Sequence, residues 1–215
     1  MDDADNPFRQ AGLALLVVGM IDIGFMAYCI INKISYSSSF NIFAVVAGVF
    51  LLRRGVKTAR IVRWFSAFMI AGFIGVLIIM PLTLPMGLMK AYLSVNTLAA
   101  LGSVVLGILL IALLIWIQGQ LSSLAALKLL GEAGYNTGKP KSAYIAGVAL
   151  VAILIGLTVT LTRGESGQNA VHLARQELGT EFDYHVSSMT ISGSSGRAIV
   201  TAYNEHEIRD IEVKW

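Results

Sequence analysis

The sequence predicts a mostly α-helical membrane protein, in which a five-span transmembrane helix bundle precedes a small C-terminal α+β module. Three observations lead to this fold class. First, 56% of the 215 residues are hydrophobic and only 13% are charged, with a mean hydropathy of +0.72, whereas a soluble domain carries about a quarter charged residues. Second, apolar residues gather in runs near the length of about 20 residues that crosses a bilayer. Third, the chain becomes polar after Arg163, with strand-like alternation near its end.

The predicted bundle occupies residues 1–163 and contains five spans. The second span is the shortest, because FNIFAVVAGVFLL supplies only thirteen strongly apolar positions. Such a short span either tilts little or relies on Tyr36 and Arg53 to reach the two membrane interfaces. Pro81 closes the third span. The five predicted spans are 11–31, 37–52, 61–80, 95–117 and 143–162.

Lysine and arginine residues are unevenly shared between the two sets of connections, and this predicts the orientation. Nine lie before span one, between spans two and three, and between spans four and five, against three in the alternate set. Cytoplasmic connections carry the excess of positive charge. We therefore predict an integral protein of a prokaryotic cytoplasmic (inner) membrane, with a cytoplasmic N-terminus and an extracytoplasmic C-terminal module. The nine are Arg9, Arg53, Arg54, Lys57, Arg60, Arg63, Lys128, Lys139 and Lys141, and the three are Lys33, Lys90 and Arg163.

The densest basic segment is RRGVKTARIVR, residues 53–63, which invites interpretation as an anionic-lipid or nucleic-acid site. Basic residues beside spans fix topology, and they attract acidic headgroups as a by-product. The segment is too short for a separate nucleic-acid module. We interpret it as a cytoplasmic topology and lipid-headgroup cluster and expect no nucleic-acid partner. Its members are Arg53, Arg54, Lys57, Arg60 and Arg63.

The segment after span four predicts a cytoplasmic helix extension over 118–130, because LSSLAALKLL has apolar residues at helical spacing. Gly131 supplies its C-terminal stop. The following residues, 131–142, form a loop with neither GxxxxGK[ST] nor GxGxxG, so its glycines do not predict a phosphate-binding loop.

Residues 164–215 predict the extracytoplasmic module, one helix packed on a three-stranded antiparallel meander. About fifty residues give a core of marginal stability, so the module is expected to dock onto the membrane part or a partner. With its ELG, SGSSG and terminal strand, the tail resembles in outline the small exposed domains of cytochrome oxidase assembly factors. The resemblance implies no residue role or activity. The predicted helix is 165–179 and the predicted strands are 183–191, 197–204 and 208–215.

Motifs for metal binding and catalysis do not emerge from the pattern. His172, His185 and His206 all fall in the module, and no two share a ligand spacing such as HxxxH. GxSxG is missing, so the many serines do not predict a nucleophile. We expect no metal, no cofactor and no catalytic residue, although a membrane enzyme of unknown class stays open as a third interpretation.

Asp22 is the one acidic residue inside a predicted span. An Asp near the centre of a span costs about 2.5–3.5 kcal/mol, and the apolar residues of 11–31 offset this by about 3–6 kcal/mol. Since no Lys, Arg or His lies at matching depth, burial favours a neutral acid that donates a hydrogen bond. The possible hydrogen-bond partners on neighbouring helices are Asn41, Ser66 and Ser103.

Three roles for Asp22 follow from the rule that intramembrane acids are functional or paired. They are a polar contact within the bundle or with a partner helix, a proton or cation relay, and a residue lining a water-filled cleft. We predict a non-enzymatic integral membrane protein acting by protein–protein binding, as an accessory subunit, assembly factor or inhibitor of a membrane complex. Its partner is another membrane protein or a second copy. The alternative is a small transporter or channel component using Asp22.

Overall fold

The computed structural model describes residues 6–33, 40–53, 55–192 and 195–215. In these ranges the protein is mostly helical and ends in a three-stranded antiparallel sheet, as predicted. The helices are α1 (Pro7–Ile31), α2 (Phe40–Leu52), α3 (Val56–Thr83), α4 (Met86–Val95), α5 (Thr97–Leu121), α6 (Leu124–Glu132), α7 (Lys141–Arg163) and α8 (Glu165–Leu178). The strands are β1 (Asp183–Ser192), β2 (Ser195–Tyr203) and β3 (Ile208–Lys214).

Four helices among the described residues are long and apolar enough to cross a membrane, and this length and hydropathy indicate an integral membrane protein. They coincide with the first, third, fourth and fifth predicted spans. Within the second, 37–52, lies a shorter apolar helix, Ile42–Leu52, and positions 37–39 fall outside the described residues. The four candidate spans are Pro7–Ile31, Val56–Pro81, Ala100–Leu121 and Lys141–Thr162.

The candidate span of α3 ends at Pro81, the residue predicted to close it, but the helix itself runs further. Helix α3 continues through Pro81 to Thr83. It ends before Pro85, whose ring disfavours helical backbone at the preceding residue, and Pro85 is the N-cap of α4. The short helix α4 was not predicted.

The end of α6 also differs from the prediction, because the stop is Gly134 rather than Gly131. Gly134 has a φ of +76°, in the left-handed region that glycine adopts without strain. The N–H of Gly134 donates to the carbonyl of Gly131, and the N–H of Tyr135 donates to the carbonyl of Leu130, each at 2.9 Å. These two bonds form a Schellman motif, which satisfies the last carbonyl groups of the helix.

The described residues divide into two compact units. The first comprises Met1–Ala71 and Ile111–Ala146, and the second comprises Gly72–Leu110 and Gly147–Trp215. In the first unit, α1 and α2 pack with their backbones in close approach: a Cβ added to Gly12 would lie 2.9 Å from the carbonyl oxygen of Gly48. The buried side chains of this unit's core are Phe8, Ala11, Leu15, Ala44, Ala47, Leu51, Ala59, Val62, Ile117, Leu121 and Ala126.

In the second unit, the sheet has the order β1–β2–β3, a meander. Antiparallel pairing places Val186 opposite Val200 and Val200 opposite Ile211, and the three side chains share a core with Ala170 and Ala174 of α8. The predicted packing of one helix on the meander is therefore present. On the opposite face of the sheet, which we call the outer face, Thr201 pairs with Asp210.

Candidate functional site

The outer face is covered at one end by α4. Leu88 and Ala91 of α4 are buried against Tyr203 of β2, with Ile208 of β3 packed beside them. The close approach depends on Gly87, since a Cβ added there would lie 3.0 Å from the Tyr203 ring. The contact anchors the sheet to the segment between the candidate spans of α3 and α5.

The turn between β2 and β3 is held in a defined shape beside α4. The Asn204 Oδ1 accepts hydrogen bonds from the backbone N–H groups of His206 and Glu207, each at 2.9 Å. This is the local bonding by which asparagine stabilises turns. The Ser94 hydroxyl on α4 donates to the Ala91 carbonyl of its own helix at 3.0 Å and lies 3.4 Å from the carbonyl oxygen of Glu205 in the turn. The turn and α4 therefore form one side of a common concavity.

This concavity is an open groove of about 700 Å³, lined by α4, the segment before β1 and the β2–β3 turn. Its lining combines opposite charges: Lys90 lies on α4, and Glu181, Asp183 and Glu205 supply carboxylates. The rings of Phe182 and Tyr203 add apolar surface. Mixed charge around aromatic residues is suited to a peptide surface, where aromatic anchors carry binding energy and charged rims select the partner.

Tyr203 supplies a neutral hydroxyl in this groove. The residue is only 6% exposed. Burial raises the pKa of its phenol, and the charge of Asp183 raises that pKa further. Tyr203 therefore stays protonated at neutral pH and is able to donate a hydrogen bond.

A second cavity lies in the first unit, and we call it the basic cavity. It has a volume of about 600 Å³ and is lined by the start of α3, the loop before α7 and the start of α7. Five of the described lining residues are cationic, and none of the described lining residues is Asp or Glu. The five are Lys57, Arg60, Arg63, Lys139 and Lys141.

Arg63 differs from the other four cations because it is buried, at 5% exposure. Its Nη2 donates to the carbonyl oxygens of Thr137 and Gly138 at 3.1 and 3.0 Å, and its Nε donates to the Ser122 Oγ at 3.1 Å. A buried charge needs such hydrogen bonds to offset the loss of water. Arg63 thus fixes the 133–140 loop against α3 and the α5–α6 connection.

Two aromatic residues contact side chains that line the basic cavity. The guanidinium carbon of Arg60 lies 5.1 Å from the centroid of the Tyr135 ring, a cation–π distance. The Trp64 Nε1 donates to the Ser142 Oγ at 3.1 Å. Because a hydroxyl both accepts and donates, Ser142 keeps a proton to offer to a ligand.

The predicted basic cluster maps only in part onto this cavity. Lys57, Arg60 and Arg63 line it, Arg53 lies exposed at the end of α2, and Arg54 falls outside the described residues. Sequence reasoning missed that Lys139 and Lys141 join it, because they are remote along the chain. The surplus of positive charge in both connections was the only available signal.

The structure places the residues of the Asp22 prediction as follows. Asp22 lies half-buried on α1, within a candidate span. The Ser66 hydroxyl donates to Gln118 Oε1 at 2.6 Å, and the Ser103 hydroxyl donates to the carbonyl of Ala100 at 2.8 Å. Asn41 lies on α2, and its side chain is outside the described part of the chain. The Ser66–Gln118 bond links α3 to α5.

The three histidines lie on separate elements: His172 on α8, His185 on β1 and His206 in the β2–β3 turn. Over the described ranges, no group of three His, Cys, Asp or Glu residues is close enough to hold a metal ion. Comparison of the chain with protein-family models, curated proteins and solved structures yields no match. The groove and the basic cavity are the two candidate binding sites of the protein.

Proposed function

We propose that this chain is a non-enzymatic integral membrane protein that works by binding another membrane protein or a second copy of itself. In this role it is an accessory subunit, an assembly factor or an inhibitor of a membrane complex. The observation that carries the proposal is the groove beside α4, where Lys90, three carboxylates and two aromatic rings line one open concavity. Such a lining offers a protein segment both anchors and charge selectivity.

The way the groove is built supports the same role. Leu88, Ala91 and Tyr203 pack the sheet against α4, and Asn204 stabilises the β2–β3 turn. A groove whose walls are already fixed loses little conformational entropy when a partner binds. This rigidity favours a stable contact surface.

The proposal includes a topology. Residues 1–163 form a bundle with five crossings, and α2 provides the fifth, supported by its close packing on α1 through Gly12 and Gly48. Close glycine contacts of this kind join helices within membranes. With the N-terminus cytoplasmic, as the lysine and arginine distribution favours, residues 164–215 form an extracytoplasmic module, and the groove faces the same side.

Site-specific photocrosslinking in native membranes tests the binding role. A benzophenone amino acid replaces Glu181 or Glu205, which line the groove, and in a matched control it replaces Glu177, an exposed residue of α8 outside it. We expect one adduct of defined mass from both groove positions and none from Glu177. Mass spectrometry then tells a partner protein from a second copy.

A charge test completes the design. Lys90→Glu should reduce the yield of the adduct formed from position 181, and Glu177→Lys should leave that yield unchanged. Equal adduct yields at Glu177 and at the groove positions would reject the binding role. The role is also rejected if the groove positions give no adduct and the chain is recovered in native nanodiscs only as a monomer.

A further inference from the structure

We propose that the basic cavity of the first unit binds the phosphate headgroup of an anionic phospholipid. The site is separate from the proposed protein-binding groove. Its ligand-facing residues are Lys57, Arg60, Lys139, Lys141, Trp64 and Ser142.

The depth of the cavity supports a lipid as the ligand. The candidate spans of α3 and α7 begin at Val56 and Lys141, and that of α5 ends at Leu121. Lys57 and Lys141 line the cavity, and Ser122 bonds to Arg63. Three spans therefore end around one cavity, which is where a bilayer places its headgroups.

The charge of the cavity supports a phosphate. The start of α3 supplies two ligand-facing cations, and the segment that joins α6 to α7 supplies Lys139 and Lys141. With no carboxylate among the described lining residues, these positive charges repel one another when the cavity holds only water. A phosphate oxygen with hydrogen bonds to lysine and arginine relieves that repulsion.

The cavity is preorganised by Arg63. Its donors are engaged with Ser122, Thr137 and Gly138, so Arg63 acts as a positioning residue for the loop that presents Lys139. The Asn136 Oδ1 accepts from the N–H of Gly138 at 2.7 Å and stabilises the same loop. The cations thus converge before any ligand arrives, which lowers the entropic cost of binding.

The apolar side of the cavity selects an amphiphile over a free anion. Ile61 and Trp64 line it and are 49% and 39% exposed. The Trp64 ring stacks on Phe68, 5.7 Å away between centroids and one helical turn further into the span. Ile61, Trp64 and Phe68 form an apolar strip along α3, against which an acyl chain of the bound lipid packs. Indole rings favour the headgroup level.

Native mass spectrometry of the full chain in detergent tests the proposal. Phosphatidylglycerol is titrated in, with phosphatidylcholine of the same acyl chains as the zwitterionic reference. The test variant, Arg60→Gln with Lys139→Gln, removes two cavity cations. The control, Arg53→Gln with Lys128→Gln, removes two exposed cations that do not line the cavity.

We expect phosphatidylglycerol to bind at least about tenfold more tightly than phosphatidylcholine to the unmodified chain. The test variant should lose about 10- to 30-fold in this affinity, about fivefold for each cation, and the control less than about threefold. If the test variant fails to fold, Lys57→Gln, a change of one exposed side chain, should lose about fivefold.

Three results would overturn the proposal. Equal losses in test and control variants would mean that the chain attracts anionic lipid only by its overall charge. Both lipids carry a phosphodiester, so equal affinities would exclude selectivity for the net negative charge of an anionic headgroup. Full displacement of phosphatidylglycerol by millimolar inorganic phosphate would show that the ligand is a soluble anion rather than a lipid.

Discussion

Arg63 donates a hydrogen bond to Ser122 across 59 residues of sequence, with 3.1 Å between Nε and Oγ. The bond joins α3 to the connection between α5 and α6, and the same guanidinium holds the loop before α7. One buried side chain therefore connects the ends of three candidate spans. Replacing Arg63 should therefore destabilise the contacts of all three spans and not only helix α3.

Replacing Arg63 tests this linkage. Arg63→Leu should lower the free energy of unfolding by about 3 kcal/mol, since hydrogen bonds to charged groups contribute about 1.5–3 kcal/mol each and the loop carbonyls lose their donor. Arg63→Lys should lower the free energy of unfolding by less than Arg63→Leu does, but still measurably, because an ammonium group cannot reproduce the planar arrangement of guanidinium donors. Denaturant unfolding in mild detergent measures both. Arg60→Leu, which removes an exposed cation–π contact, should cost less than about 1 kcal/mol; equal costs at the two positions would refute the special role of Arg63.

Gly48 and Gly24 form a matched pair of helix glycines for testing the α1–α2 contact. A Cβ at Gly48 would lie 2.7 Å from the carbonyl oxygen of Gly12, whereas a Cβ at Gly24 meets nothing within 4 Å. Gly48→Ala should destabilise the first unit by about 1–3 kcal/mol through overpacking, and Gly24→Ala should stabilise it by about 0.5–1 kcal/mol. Thermal unfolding in detergent distinguishes them. A neutral or stabilising Gly48→Ala would show that the two backbones do not approach so closely.

We predict that ionisation of Tyr203 lowers the free energy of unfolding in alkaline solution. Burial, and then the charge of Asp183, raise the pKa of its phenol above the ordinary value of 10.0. The unfolded chain therefore ionises first as pH rises, so the stability present below pH about 10 declines until the folded phenol also ionises. Urea unfolding followed by Trp215 fluorescence, with Trp64 and Trp116 replaced by Phe, measures this. Tyr203→Phe should flatten the decline above pH about 10 and Asp183→Asn should lessen it; an unchanged slope in Tyr203→Phe would exclude this tyrosine as its source.

Asp22 separates the proposed binding role from its transport alternative. Asp22→Asn keeps the size and hydrogen-bonding capacity of the side chain but removes its titratable proton. If Asp22 is a proton relay, Asp22→Asn should abolish voltage-driven proton flux in proteoliposomes. If Asp22 makes a polar contact, Asp22→Asn should keep the yield of intact complex and Asp22→Leu should lower that yield. Full yield and unchanged flux with Asp22→Leu would exclude both roles.

Hydropathy predicted the long helices well because lipid requires about 20 apolar residues in a row, and this requirement leaves a strong local signal. The strands were predicted to within about two residues at their ends, an ordinary uncertainty for strand and helix boundaries. Ile211, Val213 and Trp215 gave the clearest alternating apolar pattern, and all three belong to the core beneath α8. These elements are fixed by short-range patterns.

What sequence reasoning missed depends on contacts between distant residues. The basic cavity needs Arg63 and Gly138, 75 residues apart, to meet, and no local pattern reports this. The sequence predicted Gly131 as the stop of α6, and only the backbone conformation shows that Gly134 supplies it. Helix α4 is ten residues long, and its buried Leu88 and Ala91 are explained only by Tyr203.

The basic residues differ in burial, so changes in ionic strength should affect them differently. Arg63 is buried and donates its hydrogen bonds to neutral groups of the chain, so its contacts with the loop depend little on the salt concentration. Lys57, Arg60, Lys139 and Lys141 are exposed, and salt at physiological concentration screens such charges over about 8 Å. Changing salt therefore alters how strongly an anion is attracted while the loop that receives it keeps its conformation.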